Sequence, residues 1–232
     1  MNKVISMTTL LGVIVLLLSL CACNENLGSS QVKIGEQIWM AKNLNVSSFK
    51  NGDPIPEAKT FEDWKKAMKE KKPAYCYPEF KSEKSETLGK LYNFYAVTDA
   101  RGLAPESWRI PNDEDWDLLK SSVTAAHGAE GVGTQLKVKK EWDDIPGGMG
   151  TPASNRTGFS AFPCAYIHVV QPNEFGNLIG TDGFSSEFKN YASANWWVSD
   201  GSSTVSLIHN TDRLGGGGTP PGEGHSVRCV KI

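Results

Sequence analysis

The stretch that decides the fold is Gly89 to Val123, GKLYNFYAVTDARGLAPESWRIPNDEDWDLLKSSV. Its second half reads as a helix entry. Pro111 is followed by Asn112 as N-cap, and Asp113, Glu114 and Asp115 fill the first turn, where the helix dipole favours negative charge. Trp116, Leu119 and Val123 follow at steps of three and four and form the core-facing stripe. Three consecutive carboxylates also resemble an acid/base or metal group, but consecutive positions fan around a helix instead of converging, so capping is the better reading. In the first half, Tyr92, Tyr95 and Ala96 can share a face of a shorter helix.

Outward from this block the patterns change. Gln31 to Asn45, QVKIGEQIWMAKNLN, alternates apolar and polar side chains around a Gly-Glu turn and reads as an opening hairpin. Thr60 to Lys71 places Phe61, Trp64, Ala67 and Met68 at helical spacing, with Thr60 as N-cap and Pro73 beyond the end. Its lysines read as a solvated face balanced by Glu62, Asp63 and Glu70. Beyond residue 125, glycine-rich loops are broken by short apolar segments, and Gly158 to Ile167, Ala192 to Ser199, Thr204 to His209 and Ser226 to Ile232 read as strands. Gly215 to Gly218 with Thr219-Pro220-Pro221-Gly222 reads as a mobile loop. It lacks the preceding strand, following helix and lysine of a phosphate cradle.

Lys3 precedes an apolar run, Leu10 to Leu20, that is too short for a spanning helix of about 20 residues and fits a secretory signal. Leu20-Cys21-Ala22-Cys23 resembles the bacterial lipobox. It implies a signal segment over 1–22, lipidation at Cys23 and a flexible tether over 23–31, with one domain at 32–232. Each buried acyl CH₂ contributes about 0.8 kcal/mol to anchoring. The domain is therefore expected on the cell envelope, held on the outer membrane, with periplasmic and surface faces both open.

Without residues 1–22 the chain keeps 23 basic against 26 acidic side chains. No basic stripe appears, so nucleic acid is not an expected partner. Seven Trp, 23 Gly and 12 Pro with few long periodic runs suggest a loop-rich α+β domain. Cys76, Cys164 and Cys229 allow three single bridges and leave one thiol over. No zinc spacing is present, and His127, His168, His209 and His225 are scattered. No metal and no cofactor are expected.

IGEQIWMAKNLN, NGDPIPEA, the central block, GTQLK, TGFSAFPCAYI, NWWVS and GHSVRCVKI occur in the order seen in the Fibrobacter succinogenes major paralogous domain, which the chain resembles over residues 32–232. That domain occurs in lipoproteins of Bacteroidetes and Fibrobacteres. WRIPNDEDWDLL and GHSVRCVKI are also similar to segments of the formylglycine-generating-enzyme (sulfatase-modifying-factor) and C-type-lectin fold group. This similarity implies an irregular, C-type-lectin-like α+β fold with two or three helices, a small twisted antiparallel sheet, long loops, and first and last strands that pair. It also implies a bridge from Cys76 to Cys229, in preference to Cys164–Cys229, with Cys164 a buried thiol.

The function expected is non-catalytic binding of glycans or other surface polymers. Trp196 and Trp197 offer indole faces for sugars, although neighbours on a strand point to opposite sides and at least one should be core. Asp200, Gln171 and Asn173 are the polar candidates, Gln171-Pro172-Asn173 resembling the sugar and calcium motif of C-type lectins. An envelope protein partner is the alternative. An oxidase like the formylglycine-generating enzymes is the third reading, disfavoured because no second cysteine lies near Cys229.

Overall fold

The computed structural model describes residues 31–128, 131–143, 150–170, 185–189 and 192–232. The signal segment, Cys23, most of the tether, Gln171 and Asn173 lie outside them. Strands β1 (Gln31–Ile34) and β2 (Gln37–Met40) form the expected hairpin, with Val32 opposite Trp39. Gly35 turns the chain at φ +59°, a conformation that costs glycine nothing. Helix α1 (Phe61–Lys69) starts where the sequence places it. Thr60 accepts from the Asp63 N–H, Asp63 reaches back to the Thr60 N–H, and Trp64 is the buried residue.

The centre is more broken than its periodicity suggests. β3 (Tyr75–Cys76), the single turn α2 (Ser85–Leu88) and β4 (Leu91–Asn93) lead into another single turn, α3 (Phe94–Val97). Tyr92 therefore sits on a strand and not on a helix face with Tyr95. The reason is local: Asn93 caps α3 by accepting from the Ala96 N–H, and the same oxygen accepts from Ala74 N, so the helix cannot begin earlier. β5 (Trp108–Arg109) precedes α4 (Asp113–His127), which Asn112 caps as expected. Two short helices follow, α5 (Val132–Leu136) and α6 (Lys139–Asp143), in a region that sequence patterning assigns to loops.

The remaining strands are β6 (Tyr166–Val170), β7 (Ser185–Lys189), β8 (Ser193–Trp197), β9 (Ser203–Ile208), β10 (Leu214–Gly218), β11 (Gly224–His225) and β12 (Val230–Lys231). They complete three antiparallel sheets, ordered β1-β2-β12-β5, β3-β4-β11-β6-β7 and β10-β9-β8. The closing strand sits in the opening sheet, but against the second strand of the hairpin, Val230 facing Trp39. Three sequence expectations are corrected here. Most of 158–165 is not strand, 227–229 interrupts the expected last strand, and Gly215 to Gly218 is a strand paired with β9.

The chain is thus α+β, with about six helices. Its core divides into three apolar clusters. The first lies between α4, the hairpin and β8–β9, around Trp39, Trp116, Phe159 and Trp196. The second gathers Tyr92, Trp108, Trp197 and Cys229, and the third Trp64, Cys76, Cys164 and Ile167.

No disulfide forms among the described residues: Cys76, Cys164 and Cys229 are buried free thiols. The expected Cys76–Cys229 bridge is overturned because the two residues belong to different clusters, whereas Cys76 neighbours Cys164. Burial pushes the thiols of Cys164 and Cys229 up to about 12 and that of Cys76 well up also, so all three remain protonated and unreactive at neutral pH.

Candidate functional site

Trp196 and Trp197 are not a sugar platform. Both are completely buried, because the two faces of β8, an edge strand of its sheet, are covered by two different clusters. Trp196 donates its indole N–H to Asn43 Oδ1 at 2.8 Å, and Trp197 donates to the Tyr92 carbonyl at 2.7 Å. The other five tryptophans are buried too, so no indole face is left for stacking.

Behind Trp196 lies a polar keystone that sequence reading does not see. Arg228 is buried and has no carboxylate partner among the described residues; it donates to Asn43 Oδ1, to the Met40 carbonyl and to the carbonyls of Phe159 and Ser160. Its guanidinium stacks over Phe159 at 4.4 Å. Burial lowers its pKa to about 9, still high enough to keep the charge at neutral pH. Asn155 and Ser160, held at positive φ and bonded to each other, shape the loop that delivers the carbonyls.

An open cleft of about 550 Å³ lies beside β5 and the start of α4. Val97, Leu103, Ala104, Trp108 and Ile110 supply apolar lining, and Lys50, Arg109, Asn112 and Ser199 supply polar groups. Three backbone bonds hold its walls: Lys50 N to Gly102 O, Ser199 N to Pro111 O and Ile232 N to Ser107 O. Arg109 is fixed by a bidentate pair with Asp115. Burial pushes the Asp115 carboxyl up, but Arg109, the Asn112 N–H and Gln37 outweigh it and hold the group below its ordinary value. Asp115 is thus more than a cap. It ties β5, α4 and the hairpin together through Arg109, Asn112 and Gln37. Asp200, next to Ser199, is exposed, and Ser202 occupies both of its carboxylate oxygens.

A second polar array lies on the β11–β6 side of the molecule. Glu223 accepts from His168 Nδ1 at 2.7 Å and from His225 Nε2 at 2.8 Å. Glu223 and His225 are buried and His168 is half-buried. Tyr166 stacks on the His225 ring at 5.0 Å and Trp197 meets it edge-on. With the carboxylate ionised, each imidazole must direct an N–H at it, which leaves Nδ1 of His225 as a buried nitrogen without a partner. Burial lowers the His225 pKa, against the pull of Glu223. Burial likewise raises that of Glu223, but the two histidines outweigh it and hold the carboxyl low. The only sequence sign was Glu223-Gly224-His225, whose alternation puts both side chains on one side of a strand. Nothing local points to His168. Among the described residues no group of three or more His, Cys, Asp or Glu side chains is arranged to hold a metal ion.

The profile of the Fibrobacter succinogenes major domain matches residues 32–231. The chain belongs to this family. Comparison with curated proteins and with solved structures found no match. The matched residues take in nearly all of the three sheets and of the cleft lining, and the whole Glu223 array. No helix among the described residues is long and apolar enough to cross a membrane.

Proposed function

We propose that this is a lipid-anchored envelope protein whose family domain binds, without catalysis, an acidic glycan or similar surface polymer in the 550 Å³ cleft. The cleft carries the reading: its volume and its apolar lining with a few convergent polar groups suit a small ligand or a polymer segment. Lys50, 3.7 Å from the exposed Glu106, can exchange that carboxylate for one on a carboxylated or phosphorylated chain, while Arg109 stays paired with Asp115. The anchor is supported by the Leu20-Cys21-Ala22-Cys23 motif. The finer, C-type-lectin-like assignment is supported by the closing strand seated in the opening sheet. An oxidase has less support, since Cys229 is buried and its thiol is held protonated.

The test is a glycan array probed with the full-length protein in detergent, beside Lys50→Glu and Ser199→Tyr. Acidic glycans should bind, and both variants should lose them while keeping the wild-type melting temperature. Equal binding by wild type and variants would remove the cleft from the account. For the anchor, Cys23→Ser should release the protein from membranes, and retention of that variant would sink the lipoprotein reading.

A further inference from the structure

Strand β10 is Leu-Gly-Gly-Gly-Gly, and no strand pairs with its outer edge among the described residues. Its glycines are mostly not there for shape. Gly215, Gly217 and Gly218 do not adopt the positive φ that favours glycine; a Cβ would meet nothing within 4 Å at the first two and only Ser202 O, at 3.9 Å, at the third. Gly216 alone is explained by space, since a Cβ there would lie 2.6 Å from Thr204 O. Glycine weakens a strand by its entropy, and bare backbone in a strand commonly marks close approach by another chain.

The register says which groups are offered. Thr219 N donates to Ser202 O, while Ser203 O accepts from Val198 on the far side of β9. Bonded and unbonded pairs alternate across an antiparallel ladder. With Gly217 opposite Thr204 and Gly218 opposite Ser203, the N–H and C=O of Gly216 and Gly218 therefore point outward. Beside this edge, between β10 and α4, is a cavity of about 310 Å³ lined by Asp113, Trp116, Asp117, Lys120, Val205 and Leu214. Trp116 is 3% exposed, and its indole N–H has no hydrogen-bond partner. Trp39, Phe159 and Trp196 already pack against the ring within the core.

We infer that β10 is a docking edge for an extended, basic peptide segment of a partner protein, which adds a strand to the β10-β9-β8 sheet and places one side chain in the cavity. Backbone pairing of this kind supplies affinity, and alternate side chains supply specificity. A second copy of this strand is a poor occupant. Glycine would face glycine, no side chain would enter the cavity, and Asp113 and Asp117 would meet their own kind. The rim carries Asp113 and Asp117 against one cation, Lys120, which lies 3.6 Å from Asp117, and the surplus carboxylate asks for lysine or arginine.

The experiment uses full-length protein in detergent and two fluorescent probe peptides of alternating valine with lysine or valine with glutamate. Lysine peptide should bind at least about tenfold more tightly than glutamate peptide, a difference of about 1.4 kcal/mol. Amide exchange should slow at Gly216 and Gly218 on binding, and not at Gly215 or Gly217, whose N–H groups already face β9. Gly218→Pro should remove binding; Asp113→Lys with Asp117→Lys, on the exposed face of α4, should reverse the charge preference. Equal binding of both peptides, protection of Gly216 and Gly218 already in the free protein, or an unchanged preference in the charge-reversed variant would overturn the inference. Lys50→Glu should leave peptide binding intact, which separates this edge from the cleft.

Discussion

At the scale of single residues, the features that stabilise this molecule are buried cations satisfied by oxygen. Lys137 is completely buried, and its ammonium donates to Thr151 Oγ1 and to the carbonyls of Ile208, His209 and Thr211. Burial lowers its pKa to about 8 against the pull of the Asp212 carboxylate, which leaves it charged at neutral pH. Lys137→Met should cost about 2–4 kcal/mol, because the carbonyls lose their partner inside the core; urea unfolding measures it, and a loss below about 1 kcal/mol would mean that water replaces the ammonium. The Glu223 array makes a pH prediction. The folded-state pKa of His225 is below its ordinary 6.5, so the unfolded chain takes up the proton first and stability falls as pH drops below 6.5. Glu223, held below its ordinary 4.5, adds a further loss as pH falls from there through its folded value. Unfolding followed from pH 7.5 to 5 should show the first loss, and His225→Asn should flatten it; an equally steep profile in the variant would assign the loss to other groups.

At the scale of elements, capping decides where the helices start. In α4 the Asn112 side chain accepts from the Asp115 N–H, and Asp115 returns a bond to the Asn112 N–H while holding Arg109. Asn112→Ala should destabilise the domain by about 1 kcal/mol, the ordinary worth of such a cap. Asp115→Asn should cost more, since it removes the partner of Arg109 and weakens the link between β5 and α4. Thermal melts of the two variants give the order, and Asn112→Ala proving the worse of the two would show that the ion pair contributes little. The same scale explains two sequence errors. The four-glycine segment lacks apolar alternation, yet β9 supplies a complete ladder partner, and ladder bonds need no side chains. Tyr92 lost its helix because Asn93 caps the turn that follows it.

At the scale of the whole molecule, three clusters are built from side chains that meet across long stretches of chain, and the thiols are enclosed within them. Cys76, Cys164 and Cys229 should therefore resist a thiol reagent until denaturant is added, and a reductant should leave the melting temperature unmoved. A reductant-dependent shift would restore a disulfide. The absence of a bridge is consistent with the core's size: about 200 residues bury enough apolar surface to fold without one.

The parts legible in the sequence were those made by neighbours along the chain. The hairpin with its Gly35 turn, the capped helices with Trp64 and with Trp116, Leu119 and Val123 on their inner faces, and strands β8 and β9 all follow from periodicity and capping, which act within a few residues. The order of family segments also sufficed to identify the domain. What only the tertiary structure decided involves partners far apart: Arg228 with Asn43, His168 with Glu223, the walls of the cleft, and the burial of both Trp196 and Trp197. Strand alternation required one of those indoles to be buried; that both are followed from β8 being covered on each face by elements far from it in the chain. Burial depends on what arrives from elsewhere in the chain, and no local pattern records it.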